Sequence, residues 1–191
     1  FFNQLTPDNF PNTDDDFKNV LGHRFKIFSW EHYEVNHANP KNLQSIANLA
    51  NEIPNIVVKK YIPIDWHSDY KSGYRWCDKL LYLDIPLTPT LGVDIKVPRE
   101  MSRFQHIGDM VFAERQQAAN EFFLQLLDWI TANPFRRGVN WACTMDVAIR
   151  AVNWIWGIRF FEKELANYPK IGATISQSLI EHGRHIYDNL E

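Results

Sequence analysis

The chain has 191 residues, 45% hydrophobic and 23% charged, with a formal net charge of −3, the balance of an ordinary globular chain forming one domain or two small ones. No polycationic run points to nucleic acid or an anionic membrane, and no apolar stretch reaches the ~18–20 residues needed to span a bilayer. Cys77 and Cys143 make neither a disulfide framework nor a zinc site, and read as small buried thiols.

The chain begins Phe-Phe-Asn, without an initiating Met or a visible signal segment, and reads as an excised piece of a longer protein. Residues 1–16, rich in Asn, Asp and Pro, read as an irregular lead-in. Residues 17–30 fit either a short helix broken near Gly22 or a strand over 24–29. Asn42 is placed to cap a helix running to about Asn51, with Leu43, Ile46, Ala47 and Ala50 on one face. Pro54 stops it. Residues 55–98 are punctuated by Pro and Gly and read as a long irregular segment, of a kind that is often functional. From Arg99 onward helix follows helix, over 99–114, 117–132, 142–165 and 171–190. Asn133-Pro134 and Tyr168-Pro169-Lys170 are the stops, and the short connections imply antiparallel neighbours. The expected fold is mainly all-α: an irregular region over 1–98 and helical pairs over 99–191, in one continuous domain.

The helix inside NPFRRGVNWACTMDVAIRAVNWIW, residues 133–156, carries polar groups where burial is expected. At ~100° per residue, Asp146, Arg150, Asn153 and Gly157 fall in one narrow stripe, with Ala148, Ile149, Val152 and Ile155 on the far side. The pattern predicts three sides packed against protein and a fourth facing a cleft. Asp146 and Arg150, at i and i+4, can pair directly. The alternative is a buried acid–base pair that ties helices together and has no ligand. A helix-interior Gly costs ~1 kcal/mol against Ala, so Gly157 marks a close approach. Gly138 suits positive φ and Asn140 suits a helix cap. With Arg136 and Arg137 upstream, the helix start would suit an anion, or the two arginines form a solvated loop pair.

Other candidates are more local. Asp65, His67 and Asp69 alternate, so on an extended segment they point one way, as a metal triplet or as a hydrogen-bonded loop. Trp66 and Trp76 pack that loop, or Trp66 stacks on a sugar ring. Glu100 and Arg103 share a face and, with Asp94 and Lys96, either line the same groove as Asp146 and Arg150 or form a structural ion-pair network. His106 falls on another side. His182 and His185 read as a solvated helix face.

Three stretches together carry a resemblance. GVNW-x4-MDVAIRA-x-NWIW is similar to the signature of the heparinase II/III-like polysaccharide lyases. PIDWHSDYKSGYRW resembles that family's Asp-Trp-His loop, and DIKVPREMSRFQHI, residues 94–107, resembles its Asp-Ile-Lys … Glu-x-Ser-Arg-x-x-His segment. They occur in family order and cover about residues 60–190. Two positions depart from the pattern: Asp146 stands where the family usually has Glu, and Arg99 where it often has Trp. The resemblance implies an incomplete toroid of paired α-helices, a β-sandwich further along the polypeptide, and β-elimination at a uronic acid in a periplasmic or secreted setting. In that chemistry an Asn or His stabilises the developing enolate-like anion, and a Tyr or His moves the protons, with no obligatory metal. The family's catalytic Asn-Asn-His motif is expected after the last helix here, so no catalytic residue is assigned, and no metal or cofactor.

The substrate-binding set expected from stripe and resemblance is Asn140, Trp141, Asp146, Arg150, Asn153, Glu100, Arg103, Trp66 and His67. The expected partners are an acidic polysaccharide (heparan-like, alginate or bacterial exopolysaccharide) and the remainder of the same polypeptide, not nucleic acid or membrane. A non-catalytic helical glycan-binding or scaffolding module is the alternative. A sugar hydrolase fits less well, because it needs two carboxyl groups at set separation.

Overall fold

The computed structural model describes residues 13–28, 32–35, 42–111 and 113–190. Helix dominates, as the pattern predicts. Helix α1 (Thr13–Leu21) starts inside the segment read as irregular lead-in; residues 1–12 lie outside the described residues. The chain turns at Gly22-His23 and enters β1 (Arg24–Lys26), which pairs antiparallel with β2 (His32–Glu34) through Phe25↔Tyr33. Both expectations for residues 17–30 are therefore met in part, a helix that breaks near Gly22 and then a strand.

Helix α2 (Asn42–Leu49) is followed by the short α3 (Asn55–Val58) and a long stretch of turns with one 3₁₀ turn, Tyr82–Asp84. The expected helix over 99–114 is instead α4 (Lys96–Met101) and α5 (Ile107–Met110). The break lies at Phe104, whose φ is 59°, a strained value for a bulky residue. Its ring is fully buried and stacks on Trp66 at 5.2 Å, so aromatic burial offsets the backbone strain.

Helix α6 (Arg115–Ala132) is capped by Glu114, whose carboxylate accepts from the Gln116 and Gln117 amides at 3.1 and 2.7 Å. Helix α7 (Thr144–Phe160) and the short α8 (Glu162–Leu165) replace the single helix expected over 142–165, and α9 (Pro169–Asp188) opens on a proline at its first turn. Phe122 meets Gly157 while Trp129 meets Trp141, so α6 and α7 run antiparallel. Trp141 meets His185 while Leu165 meets Gly172, so α7 and α9 do too. One cluster of buried side chains runs from Phe17 to Ile175, and α2 packs on both α6 and α9. The core thus crosses residue 98.

Helix α6 is buried continuously from Ala118 to Trp129, polar residues included. Glu121, Gln125 and Asp128 fall at i, i+4 and i+7 on one face. Gln125 donates to Glu121 at 2.8 Å and accepts from the His106 ring at 2.7 Å. His23 pairs with Glu121 at 3.1 Å. Asp128 Oδ2 accepts from Tyr61 Oη and from the Ile64 amide, both at 2.8 Å. Burial pushes the Asp128 carboxyl up to about 7 from 3.8, against the lowering pull of those donors. Between these values the unfolded chain has released the proton and the folded chain keeps it. The contribution of Asp128 therefore falls as pH rises from about 4 to about 7 and levels off above. Asp128→Asn removes this slope, so the stability of D128N relative to the native chain should rise across that window. Urea denaturation at several pH values measures it.

Candidate functional site

The three stretches singled out in the sequence, 63–76, 94–107 and 138–156, meet in space. The turn after α6 is built by Pro134, by Arg136 at φ 61° and by Gly138 at φ 80°. Gly138 is required by its backbone angle and by space: a Cβ there would lie 2.5 Å from His67 Cε1. The neighbouring His67 ring bonds the Ala132 carbonyl at 2.9 Å and is 1% exposed; burial lowers its pKa. Gly138→Ala should therefore cost about 2–3 kcal/mol through strain and overpacking, read as a lowered melting temperature.

Beyond Gly138 the 3₁₀ turn Val139–Trp141 buries Asn140, whose amide donates to the Trp66 carbonyl and to Asn133 Oδ1, both at 2.8 Å. Asn140 does not cap α7. That position is Cys143, with no side-chain cap, because the 3₁₀ turn places Asn140 a turn too early. The Asn140 carbonyl accepts from Arg150 Nη2 at 3.2 Å. Trp141 is buried against Trp129, Phe135, His182 and His185.

Arg150 is 0% exposed. Its guanidinium lies 4.0 Å over the Trp129 ring and 5.5 Å from that of Trp141. Its Nε donates to His182 Nε2 at 2.8 Å, while His182 Nδ1 donates to the Ser178 carbonyl at 2.7 Å. That pairing fixes a neutral His182, and burial with the Arg150 charge holds its pKa well below the usual value. Burial brings Arg150 down to about 9, with the Asp146 charge opposing. His182 and His185 are both 0% exposed, which corrects the solvated-face reading: they are the wall that α9 lays against α7.

Asp146 does not hydrogen-bond Arg150. It is 1% exposed and gripped from α4 and the turn after it: Arg99 Nε to Oδ2 at 2.5 Å, Arg103 Nε to Oδ1 at 2.7 Å. Arg103 also pairs with Glu100 at 2.5 Å. Burial acts to raise the Asp146 pKa, but the two arginines outweigh it and hold the carboxyl below its ordinary range. Burial raises that of Glu100, against Arg103 and with the Asp146 charge adding. The Asn153 amide donates to the Arg103 carbonyl at 2.7 Å. Gly157 receives the Phe122 ring, so the close approach there is an aromatic side chain.

The orientation of α7 differs from the sequence expectation. Asp146, Arg150 and Gly157 point inward with Val147 and Trp154, whereas Met145, Val152, Ile155 and Trp156 are each more than half exposed. The polar groups can be buried because each finds a partner on α4, in the turns or on α9.

An opening lies beside Asp146. A cavity of about 330 Å³ is lined by Lys96, Arg99, Glu100, Arg103, Met145 and Asp146. Lys96 is exposed, and the Arg99 and Arg103 side chains are 18% and 16% exposed. Arg150 lies behind it, sealed. Arg136 pairs with Asp188 and Arg137 holds the Lys79 carbonyl, so both are engaged elsewhere. Trp66, 0% exposed, is a packing residue with no open ring face. Asp65, His67 and Asp69 turn to separate partners, Arg75 and Ser68, Ala132, and Ser72 and the Asp94 amide. Cys77 is exposed and Cys143 part-exposed, both free, so neither is a buried thiol. No family model matches the chain, and neither a curated protein nor a solved structure matches it.

Lys96 and Arg99 were not in the sequence-derived binding set. Their signal was present: Lys96, Arg99 and Arg103 put three cations within eight residues, beside Glu100.

Proposed function

We propose that this chain is the N-terminal part of the helical toroid of a polysaccharide lyase acting on a uronic-acid-containing glycan, with Lys96, Arg99 and Arg103 holding the sugar carboxylates. One observation carries the reading. The Asp-Trp-His loop, the Asp-Ile-Lys … Ser-Arg segment and the Gly-Val-Asn-Trp helix are joined by direct hydrogen bonds, Asn140 to Trp66, Arg99 and Arg103 to Asp146, and Asn153 to Arg103. Stretches with a common family likeness form one cluster, and the opening beside Asp146 is lined by more cations than carboxylates. Charge of that sign suits an acidic glycan.

In this reading Asp146 and Arg150 organise the cleft wall without touching sugar. The proton-transfer groups belong to sequence after residue 191. The exposed apolar face of α7 (Met145, Val152, Ile155, Trp156) is where further helices of the same polypeptide would pack. A hydrolase fits poorly, because Asp146 is held ionised by two guanidiniums and cannot serve as a general acid.

The test is to express residues 1–191 together with the sequence that follows them in the parent protein and to follow the ultraviolet absorbance of the unsaturated uronate product. Alginate, heparan-type and bacterial acidic polysaccharides are the substrates. Rising absorbance with one of them supports the reading. Flat traces with all, alongside measurable glycan binding, mean a non-catalytic module.

A further inference from the structure

The largest cavity described, about 700 Å³, lies away from the cationic cleft, between the α1–β1 turn, α3 and the N-terminal half of α6. Its size falls in the roughly 300–1,000 Å³ range of small-molecule sites. Leu21, Val57 and Leu124 wall it, and Ile56 and Ile62, 68% and 53% exposed, form an apolar rim.

Two neighbouring residues of α6 supply its polar floor. Glu121 is 9% exposed, and one carboxylate oxygen takes both His23 and Gln125. Asn120 is 7% exposed, and its amide oxygen takes Gln116 and Tyr168. Among the described residues, the second Glu121 oxygen and the Asn120 amide nitrogen have no hydrogen-bond partner, and both residues line the cavity. A carboxylate oxygen beside an amide nitrogen, on two nearly buried residues that line an open cavity, is an acceptor–donor pair that a ligand completes.

The charge and pairing of these groups restrict the ligand. Glu34, Glu114 and Glu121 against Lys60 make the lining net acidic, so it repels the uronates that suit the other cleft. An alkylammonium would satisfy Glu121 alone and leave the Asn120 amide unpaired. Adjacent hydroxyls both donate and accept, and so match the pair, while the aliphatic walls cover the C–H faces of a ring. We propose that this cavity binds a neutral saccharide, of one or two rings, whose vicinal hydroxyls bridge Glu121 and Asn120. The site stands independently of the lyase reading.

The experiment is saturation-transfer NMR on the 191-residue chain with glucose, galactose, mannose, maltose and cellobiose, followed by calorimetric titration of any that bind. A short oligouronate and hexylamine are the comparison ligands. The proposal expects at least one neutral saccharide to bind, and expects Glu121→Gln and Asn120→Ala each to weaken it about tenfold or more, the scale of a lost hydrogen bond to a buried polar group. Ile56→Asp, on the exposed rim, should also weaken binding, and it decides the matter if the α6 variants do not fold. Absence of binding by all five sugars overturns the proposal. So does affinity unchanged in the folded variants, or displacement of the sugar by the oligouronate or the amine.

Discussion

Asp146→Ala should destabilise the chain by about 3–5 kcal/mol, the cost of stranding the partners of a buried ion pair. Arg99 and Arg103 both aim at this carboxylate and are mostly buried themselves. Removing it leaves two guanidiniums facing each other across a void. Equilibrium urea denaturation measures the loss. Restoring a neutral partner with Asp146→Asn should recover only part of it, because the amide accepts one hydrogen bond well and offers a donor to the second arginine. Asp146 and Arg99 touch each other at 2.5 Å. A double-mutant cycle on this pair should accordingly give a coupling well above that of a surface salt bridge.

Arg150→Ala should cost a similar amount, about 3–5 kcal/mol, from the void beside Trp129 and Trp141 and from the unpaired His182 nitrogen and Asn140 carbonyl. Arg150→Met should be far milder, because a flexible apolar chain of similar length fills the aromatic slot and the desolvation cost of the guanidinium disappears. A residue that touched the glycan would behave differently: both substitutions would abolish binding at unchanged stability. With Arg150 at 0% exposure, thermal melts of R150A and R150M should separate widely while any glycan affinity of the folded R150M is kept.

The helical character of residues 99–191 was legible because apolar spacing and Pro stops are local signals, and α6, α7 and α9 lie close to the predicted spans. The break at Phe104 was not, because it depends on a ring contact with Trp66, distant in sequence. The narrow polar stripe of α7 was also legible, but not its direction. Hydropathy alone turned Asp146 and Arg150 toward a cleft, and only the positions of Arg99, Arg103 and His182 make it possible to bury them. Gly157 was correctly read as a close approach, and the approaching group is Phe122. The polar line Glu121, Gln125 and Asp128 was present at helical spacing inside an apolar helix. Its weight became apparent once His23, His106 and Tyr61 arrived from other segments.

The most direct test of the central claim, that cations on α4 and the turn after it hold an acidic sugar, is calorimetric titration of the 191-residue chain with an oligouronate, native against Lys96→Glu. Lys96 is exposed, so the substitution leaves the fold intact, and it sits on the cleft wall beside Arg99 and Arg103. Binding that weakens with added salt and falls about tenfold in K96E is the predicted result. Binding equal in the two proteins, or none to any uronate in the native chain, would contradict it.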